Sequence, residues 1–260
     1  MTGLLPYRLE VGDGEAIVGD ELPGAGPVYL FLHGLGSGRA GQKSETLLTH
    51  ARAHGRALLR YDLRGHGGSC GKLGRSTISE LIDDAIAALA LRGPTVVVGA
   101  SLGGVVAAHV AARRPDLVAG LALVAPAFGL MSGLRQRLDP RGRMWTREGH
   151  GFVVEERGLA DADALDEAGL PGRIRVPTLV AHGLADDVIP HRVGERFFDA
   201  LAAPKKDLWL VPEGDHRLAA QAPALWPRLD ALLGPDTPPP KAPASCLARE
   251  YDARCAGVPV

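Results

Sequence analysis

Residues 95–112 read Thr95-Val96-Val97-Val98-Gly99-Ala100-Ser101-Leu102-Gly103-Gly104-Val105-Val106-Ala107-Ala108-His109-Val110-Ala111-Ala112. The β-branched run at the start suits a strand buried on both faces. The stretch from Gly104 onward reads as a packed helix that stops before Pro115. Between them stands Gly99-Ala100-Ser101-Leu102-Gly103, a Gly-x-Ser-x-Gly in a strand-to-helix turn, which predicts a nucleophile elbow. Glycines let the two backbones approach while the serine takes a strained dihedral and lifts its Oγ above the sheet. A Gly-rich connection carrying an incidental serine fits the same five residues. The reading therefore depends on whether an acid and a base follow in the right order.

The flanking chain alternates strands and helices. A hairpin is expected over 6–22 around Gly12-Asp13-Gly14, then strands at Val28–His33 and Ala57–Asp62 separated by a helix at Ser44–His54. Thr77–Leu91 spaces Ile78, Leu81, Ile82, Ala85, Ile86 and Leu89 as one helical face. Strands follow at 117–124, 176–182 and 206–211, with helices at 193–201 and 219–233. This rhythm implies an α/β fold, a mainly parallel central sheet with helices on both faces. Ligands in such sheets bind beyond the strand C-termini. Residues 127–172 break the rhythm with no clear strand and with Arg135, Arg137, Arg141, Arg143 and Arg147. They are expected to form a lid insertion, its arginines either solubilising or set to meet an anionic leaving group. The expected organisation is one domain over 1–234 and a Pro-rich extended tail over 235–260.

The 260 residues, 46% hydrophobic and 23% charged, are ordinary for a globular protein that buries a sizeable core. A net charge of −1 offers no general attraction to nucleic acid or anionic membrane. Cys70, Cys246 and Cys255 have neither metal-ligand spacing nor the density of a disulfide framework. Residues 1–8 lack the basic and apolar regions of a signal peptide, and the apolar stretch 95–112 is interrupted by glycines, so no membrane span is expected. The expectation is a cytoplasmic protein.

A serine hydroxyl needs a histidine to remove its proton, and that histidine needs a carboxylate to fix its tautomer. Behind an elbow the chain order is Ser, then Asp or Glu, then His. Strand 176–182 runs into His182-Gly183-Leu184-Ala185-Asp186-Asp187-Val188-Ile189-Pro190, and strand 206–211 into Pro212-Glu213-Gly214-Asp215-His216-Arg217. Acid and base thus fall at the C-terminal ends of successive strands, on the edge where Ser101 emerges. His216 alone among His33, His66, His182, His191 and itself has both the order and the loop. His33 and His182 precede glycines at strand ends and read as satisfied structural histidines. His66 reads as holding its own Gly-rich loop, and Asp62 and Arg64 as bracing their own turn.

Taken together, these segments resemble the α/β-hydrolase-fold serine hydrolases over nearly all of residues 4–233. The resemblance rests on His33-Gly34, on Asp62-Leu63-Arg64-Gly65-His66-Gly67-Gly68-Ser69, on the elbow, on the Gly-x-x-Asp-x-x-x-Pro turn from Gly183 to Pro190, and on Asp215-His216. Ser76-Thr77, Val98–Gly104, Asp186–Pro190 and Asp215–Arg217 also resemble the small palmitoyl-protein thioesterase and acyl-glucuronide esterase group. The family turn places the acid on Asp186, with Asp187 as the competing neighbour whose other role is a cap or a solvated turn. The resemblance implies catalytic Ser101, Asp186 and His216, an oxyanion hole from the backbone N–H groups of Leu35 and Leu102, an acyl ester or thioester substrate, and no metal or organic cofactor.

Two alternatives belong to other classes. Gly36-x-Gly38-x-x-Gly41 follows a strand, precedes a helix and has Asp62 at the end of the next strand, which fits a dinucleotide-binding fingerprint and an oxidoreductase. A non-catalytic binding protein on the same fold is the other.

Overall fold

The computed structural model describes residues 3–12, 14–146 and 149–234; the expected tail at 235–260, with Cys246 and Cys255, and Arg147 lie outside the described residues. In chain order the elements are β1 (Leu5–Gly12), β2 (Glu15–Leu22), β3 (Tyr29–Leu32), α1 (Gln42–Ala53), β4 (Leu58–Tyr61), α2 (Ile78–Ala90), β5 (Thr95–Ala100), α3 (Leu102–Arg113) and β6 (Val118–Val124). Then come β7 (Arg143–Trp145), β8 (Gly151–Val153), α4 (Glu156–Ala164), β9 (Thr178–Gly183), α5 (Arg192–Ala200), β10 (Lys206–Val211) and α6 (Ala222–Leu233).

Eight strands form one sheet in the order β1-β2-β4-β3-β5-β6-β9-β10. The β1–β2 and β2–β4 pairs are antiparallel, and every pair from β4 to β10 is parallel. Strands buried on both faces explain the continuous apolar runs. Val97 of β5 belongs to the core cluster that also holds residues of α2, α3 and α5, whereas Val96 and Val98 belong to the one that holds residues of α1 and α6. Helix α2 presents the stripe read from its sequence and opens on a capping box, Thr77 accepting from the Glu80 amide while the Glu80 carboxylate accepts from the Thr77 amide. Among the described residues no helix is long and apolar enough to cross a membrane.

The expected α/β architecture is what the chain adopts; the exception is the insertion. Residues 127–172 contain the β7–β8 hairpin and α4, where no strand was legible. Three-residue strands are too short to show a period of two. Helix α4 reads Glu-Arg-Gly-Leu-Ala-Asp-Ala-Asp-Ala and buries only Gly158, Leu159 and Ala162, so it carries no apolar stripe.

The elbow is the tightest junction of the sheet. A Cβ on Gly99 would lie 2.2 Å from the Gly103 carbonyl oxygen, and one on Gly103 would lie 2.1 Å from the Leu32 carbonyl oxygen. Any side chain at either position forces α3 away from β3 and β5. Gly103→Ala is therefore expected to lower the unfolding free energy by about 1–3 kcal/mol, the usual cost of overpacking. Urea denaturation measures it, and an unchanged midpoint contradicts the packing argument.

Candidate active site

Ser101 joins β5 to α3 with φ 52° and ψ −116°, a conformation that costs a non-glycine residue about 1–3 kcal/mol. Neighbouring backbone holds it there. Its amide donates to the Val124 carbonyl at 3.0 Å, and its own carbonyl accepts from the amides of Gly104 (2.9 Å) and Ala127 (3.2 Å). The hydroxyl thus points away from the sheet edge toward the loop after β10.

That loop carries His216, whose Nε2 lies 3.1 Å from Ser101 Oγ and whose Nδ1 lies 2.8 Å from Asp186 Oδ2. The Asp186 side chain is fully buried behind β9. Its Oδ1 accepts from the amides of Val188 (2.9 Å) and Ile189 (2.8 Å). Burial on its own pushes this carboxyl up, but hydrogen bonds from His182, His216 and the Ile189 amide outweigh it and hold the group well below the usual carboxylate range. An ionised carboxylate only accepts, so the proton on His216 sits at Nδ1. Nε2 is left to accept from the Ser101 hydroxyl. Asp187 is exposed on the turn.

His182 departs from its sequence reading. It is fully buried and its Nε2–H is shared between Asp186 Oδ2 (3.1 Å) and the Ile189 carbonyl (3.0 Å), while its Nδ1 has no partner. It is therefore a half-satisfied ring committed to the acid, not a satisfied structural one. The spacing of four residues from His182 to Asp186, across the turn that leaves β9, was the available signal.

The amides of Leu35, just past β3, and Leu102, the first residue of α3, have no hydrogen-bond acceptor among the described residues, and both residues line the cleft at Ser101. Two histidines brace the loop that carries Leu35. His33 Nε2 accepts from the Leu63 amide at 2.9 Å, and His66 Nε2 accepts from the Gly36 amide at 3.1 Å, each ring belonging to the loop the other one contacts. His66 thus ties its loop to a second one as well as holding its own through the Arg64 carbonyl.

Asp62 braces its own turn, accepting from the Gly68 amide, and also receives the amide and guanidinium of Arg39. Both carboxylate oxygens are used and the residue is buried, so it has nothing to offer a ribose. The loop Gly36–Gly41 likewise spends its amides at 36, 39 and 41 internally. This removes the basis of the dinucleotide reading. Arg64 does not brace its own turn; it reaches Asp84 of α2 and Glu15 and the Val11 carbonyl of the β1–β2 hairpin.

Two clefts open from Ser101. The first, enclosing about 660 Å³ including its mouth, is apolar: Leu73, Ile78 and Leu81 from the segment before and within α2 face Leu134, Met144 and Phe152 of the insertion. The second, about 960 Å³ measured the same way, is the more polar of the two, with Ser37, Lys43 and Arg217 beside Phe31, Leu35 and Ala219, and runs between the Gly34–Lys43 segment and the His216 loop. Of the insertion's arginines, Arg135 pairs with Glu156 and Asp163, and Arg143 with Asp139. These side chains are satisfied within the insertion itself.

The chain is similar to known hydrolases in sequence and in fold. A family profile described as serine aminopeptidase, S33, matches residues 26–151. The mitochondrial palmitoyl-protein thioesterase ABHD10 of Mus musculus is 28% identical, covering 77% of this chain and 72% of that protein. The pimeloyl-[acyl-carrier protein] methyl ester esterase of Chromobacterium violaceum is 30% identical over 75% of this chain and 89% of its own length. Among solved structures, mouse α/β hydrolase domain-containing protein 10 superposes with a TM-score of 0.78 at 24% identity, covering 88% of this chain and 98% of that one.

The histidine brace makes stability depend on pH. Burial, reinforced by the neighbouring His66, lowers His33 from the usual 6.5 to about 4, and burial lowers His66 as well. Between those limits the unfolded chain binds protons that the folded one refuses. The contribution is complete above about pH 6.5 and is lost as pH falls toward 4, with His109, lowered to about 4 by burial, adding to it. Urea midpoints measured from pH 7.5 to 4 should fall in that window; a flat profile contradicts neutral rings.

Proposed function

The chain belongs to the α/β-hydrolase family of serine hydrolases, and on that premise we propose that it cleaves carboxylic esters and thioesters through an acyl-enzyme on Ser101. The observation that carries the reading is the continuous hydrogen-bonded chain from the strained Ser101 through His216 to the buried Asp186, beside two amides with no acceptor. His216 Nε2 takes the hydroxyl proton as Ser101 Oγ attacks the acyl carbonyl. The Leu35 and Leu102 amides stabilise the tetrahedral oxyanion. The bond to the alkoxide or thiolate breaks, and the leaving atom collects the proton from His216. Water, deprotonated by the same ring, then releases the acid and restores Ser101. Asp186 stays ionised throughout and keeps the ring in the working tautomer.

The acyl chain enters the apolar cleft, and residues 127–172 serve as the lid that forms its outer wall. Relatives named as a thioesterase and a methyl ester esterase support an acyl substrate with either leaving atom.

Four variants test this reading. Ser101→Ala should abolish turnover of acyl esters and labelling by a fluorophosphonate probe; retained labelling sinks the assignment of the nucleophile. Asp186→Asn should lower kcat by about 10⁴, the size expected when the ring is left in the wrong tautomer, while Asp187→Asn should stay within about twofold. Equal losses at the two positions exclude Asp186 as the sole acid. Met144→Trp should shift preference toward shorter acyl chains across a chain-length series, and an unchanged profile places the acyl group elsewhere.

A further inference from the structure

The second cleft is more polar than the one proposed for the acyl chain, and it opens on the same hydroxyl. It lies on the side of Ser101 bounded by Gly34–Gly36, Ser37 and the His216 loop. With the acyl chain in the apolar cleft, the leaving group departs into this second one, toward the ring that protonates it.

Its charge is one-sided. Lys43 and Arg217 line it, and no Asp or Glu is among the described residues that do. Lys43 is the more telling of the two. Its ammonium sits half-buried and donates to the Arg217 carbonyl at 2.6 Å. An ammonium has three N–H donors, so two remain for a ligand. No carboxylate among the described residues comes within ion-pair distance of it, although almost every other cation near the sheet edge has one: Arg39 meets Asp20 and Asp62, Arg60 meets Glu45, and Arg64 meets Asp84 and Glu15. Burial lowers Lys43 to about 8, the more distant Asp215 and Asp186 only partly opposing this. A cation kept partly out of water beside a nucleophile, with donors to spare, is arranged for an anion that arrives with the substrate. Arg135 and Arg143 of the insertion are bound to carboxylates of their own segment instead.

We propose that the polar cleft is a leaving-group subsite in which Lys43 selects esters and thioesters whose alcohol or thiol carries a carboxylate or a phosphate-type group. The inference rests on acyl transfer to Ser101. The anion is present before and after the acyl bond breaks, so its contact with Lys43 acts on binding and appears mainly in KM. The charged group takes no part in the chemistry: the leaving oxygen or sulfur still receives its electron pair from the broken bond and its proton from His216.

The test uses three butyrate esters, of 4-hydroxybenzoate, 4-hydroxyphenylphosphonate and neutral 4-hydroxybenzamide, with rates corrected for alkaline hydrolysis of each. The wild-type protein should favour one or both anionic esters over the amide by about tenfold in kcat/KM, through KM, a size typical of one charge-assisted contact. Which of the two is better identifies the carboxylate or the phosphate as the group read. Lys43→Gln keeps a donor for the Arg217 carbonyl and removes the charge, so the ratio of anionic to neutral ester should fall to about one. Lys43→Arg should retain most of it. A wild-type ratio near one, or a ratio that survives Lys43→Gln, overturns the subsite while leaving acyl transfer intact. Failure of all three esters to turn over, with the neutral ester included, overturns both readings together.

Discussion

A helix that begins one residue after a strand ends requires two backbones to touch, and the contact of Gly103 with the Leu32 carbonyl is where that happens here. It draws the start of α3 onto β3 as well as β5. Three consequences share this cause. Ser101, trapped between the two elements, takes its positive φ. The Leu102 amide opens the helix with no carbonyl behind it. The loop leaving β3 is brought against the serine, so that Gly34 packs on Ser101 and Leu35 faces the same cleft. The candidate nucleophile and both candidate oxyanion donors are thus products of one steric constraint.

Electrostatics completes what sterics begins. The buried Asp186 charge is met by two rings and two amides, which makes the deprotonated form the favoured one despite desolvation. Its effect reaches Ser101 only through the tautomer of His216. Around that axis the molecule is divided: apolar side chains from α2 and the insertion lie to one side of the hydroxyl, and amides, hydroxyls and two cations to the other.

The axis itself was legible because each member sits in a local pattern. Ser101, Asp186 and His216 each follow a strand whose apolar run marks it, and chain order supplied their pairing. Asp186 was separable from Asp187 through the spacing to Pro190, and the buried carboxylate agrees. The walls of both clefts were not legible. Leu73 and Leu81 meet Leu134 and Phe152 across more than fifty residues of sequence, and nothing local in either segment announces the other. Lys43 lies just before the helix expected at Ser44–His54, and nothing local sets it beside the His216 loop. Arg64 was assigned to its own turn because sequence gives no view of Asp84, which approaches it only when α2 docks on the sheet. The short strands β7 and β8 fell below the length at which alternation can be seen.

The exchange between His33 and His66 has a mechanical meaning. Each ring is the acceptor for an amide of the opposite loop, so the turn after β3 and the turn after β4 are fastened at two points and move as one piece. Neither is a spare part. A chimera that imports only one of the two segments imports it without its fastening, and a substitution tolerated at one imidazole is tolerated only in so far as the other loop accepts a new acceptor. The candidate oxyanion turn is, in this sense, built from two stretches of chain about thirty residues apart, and engineering or drift at this edge must treat them as a single unit.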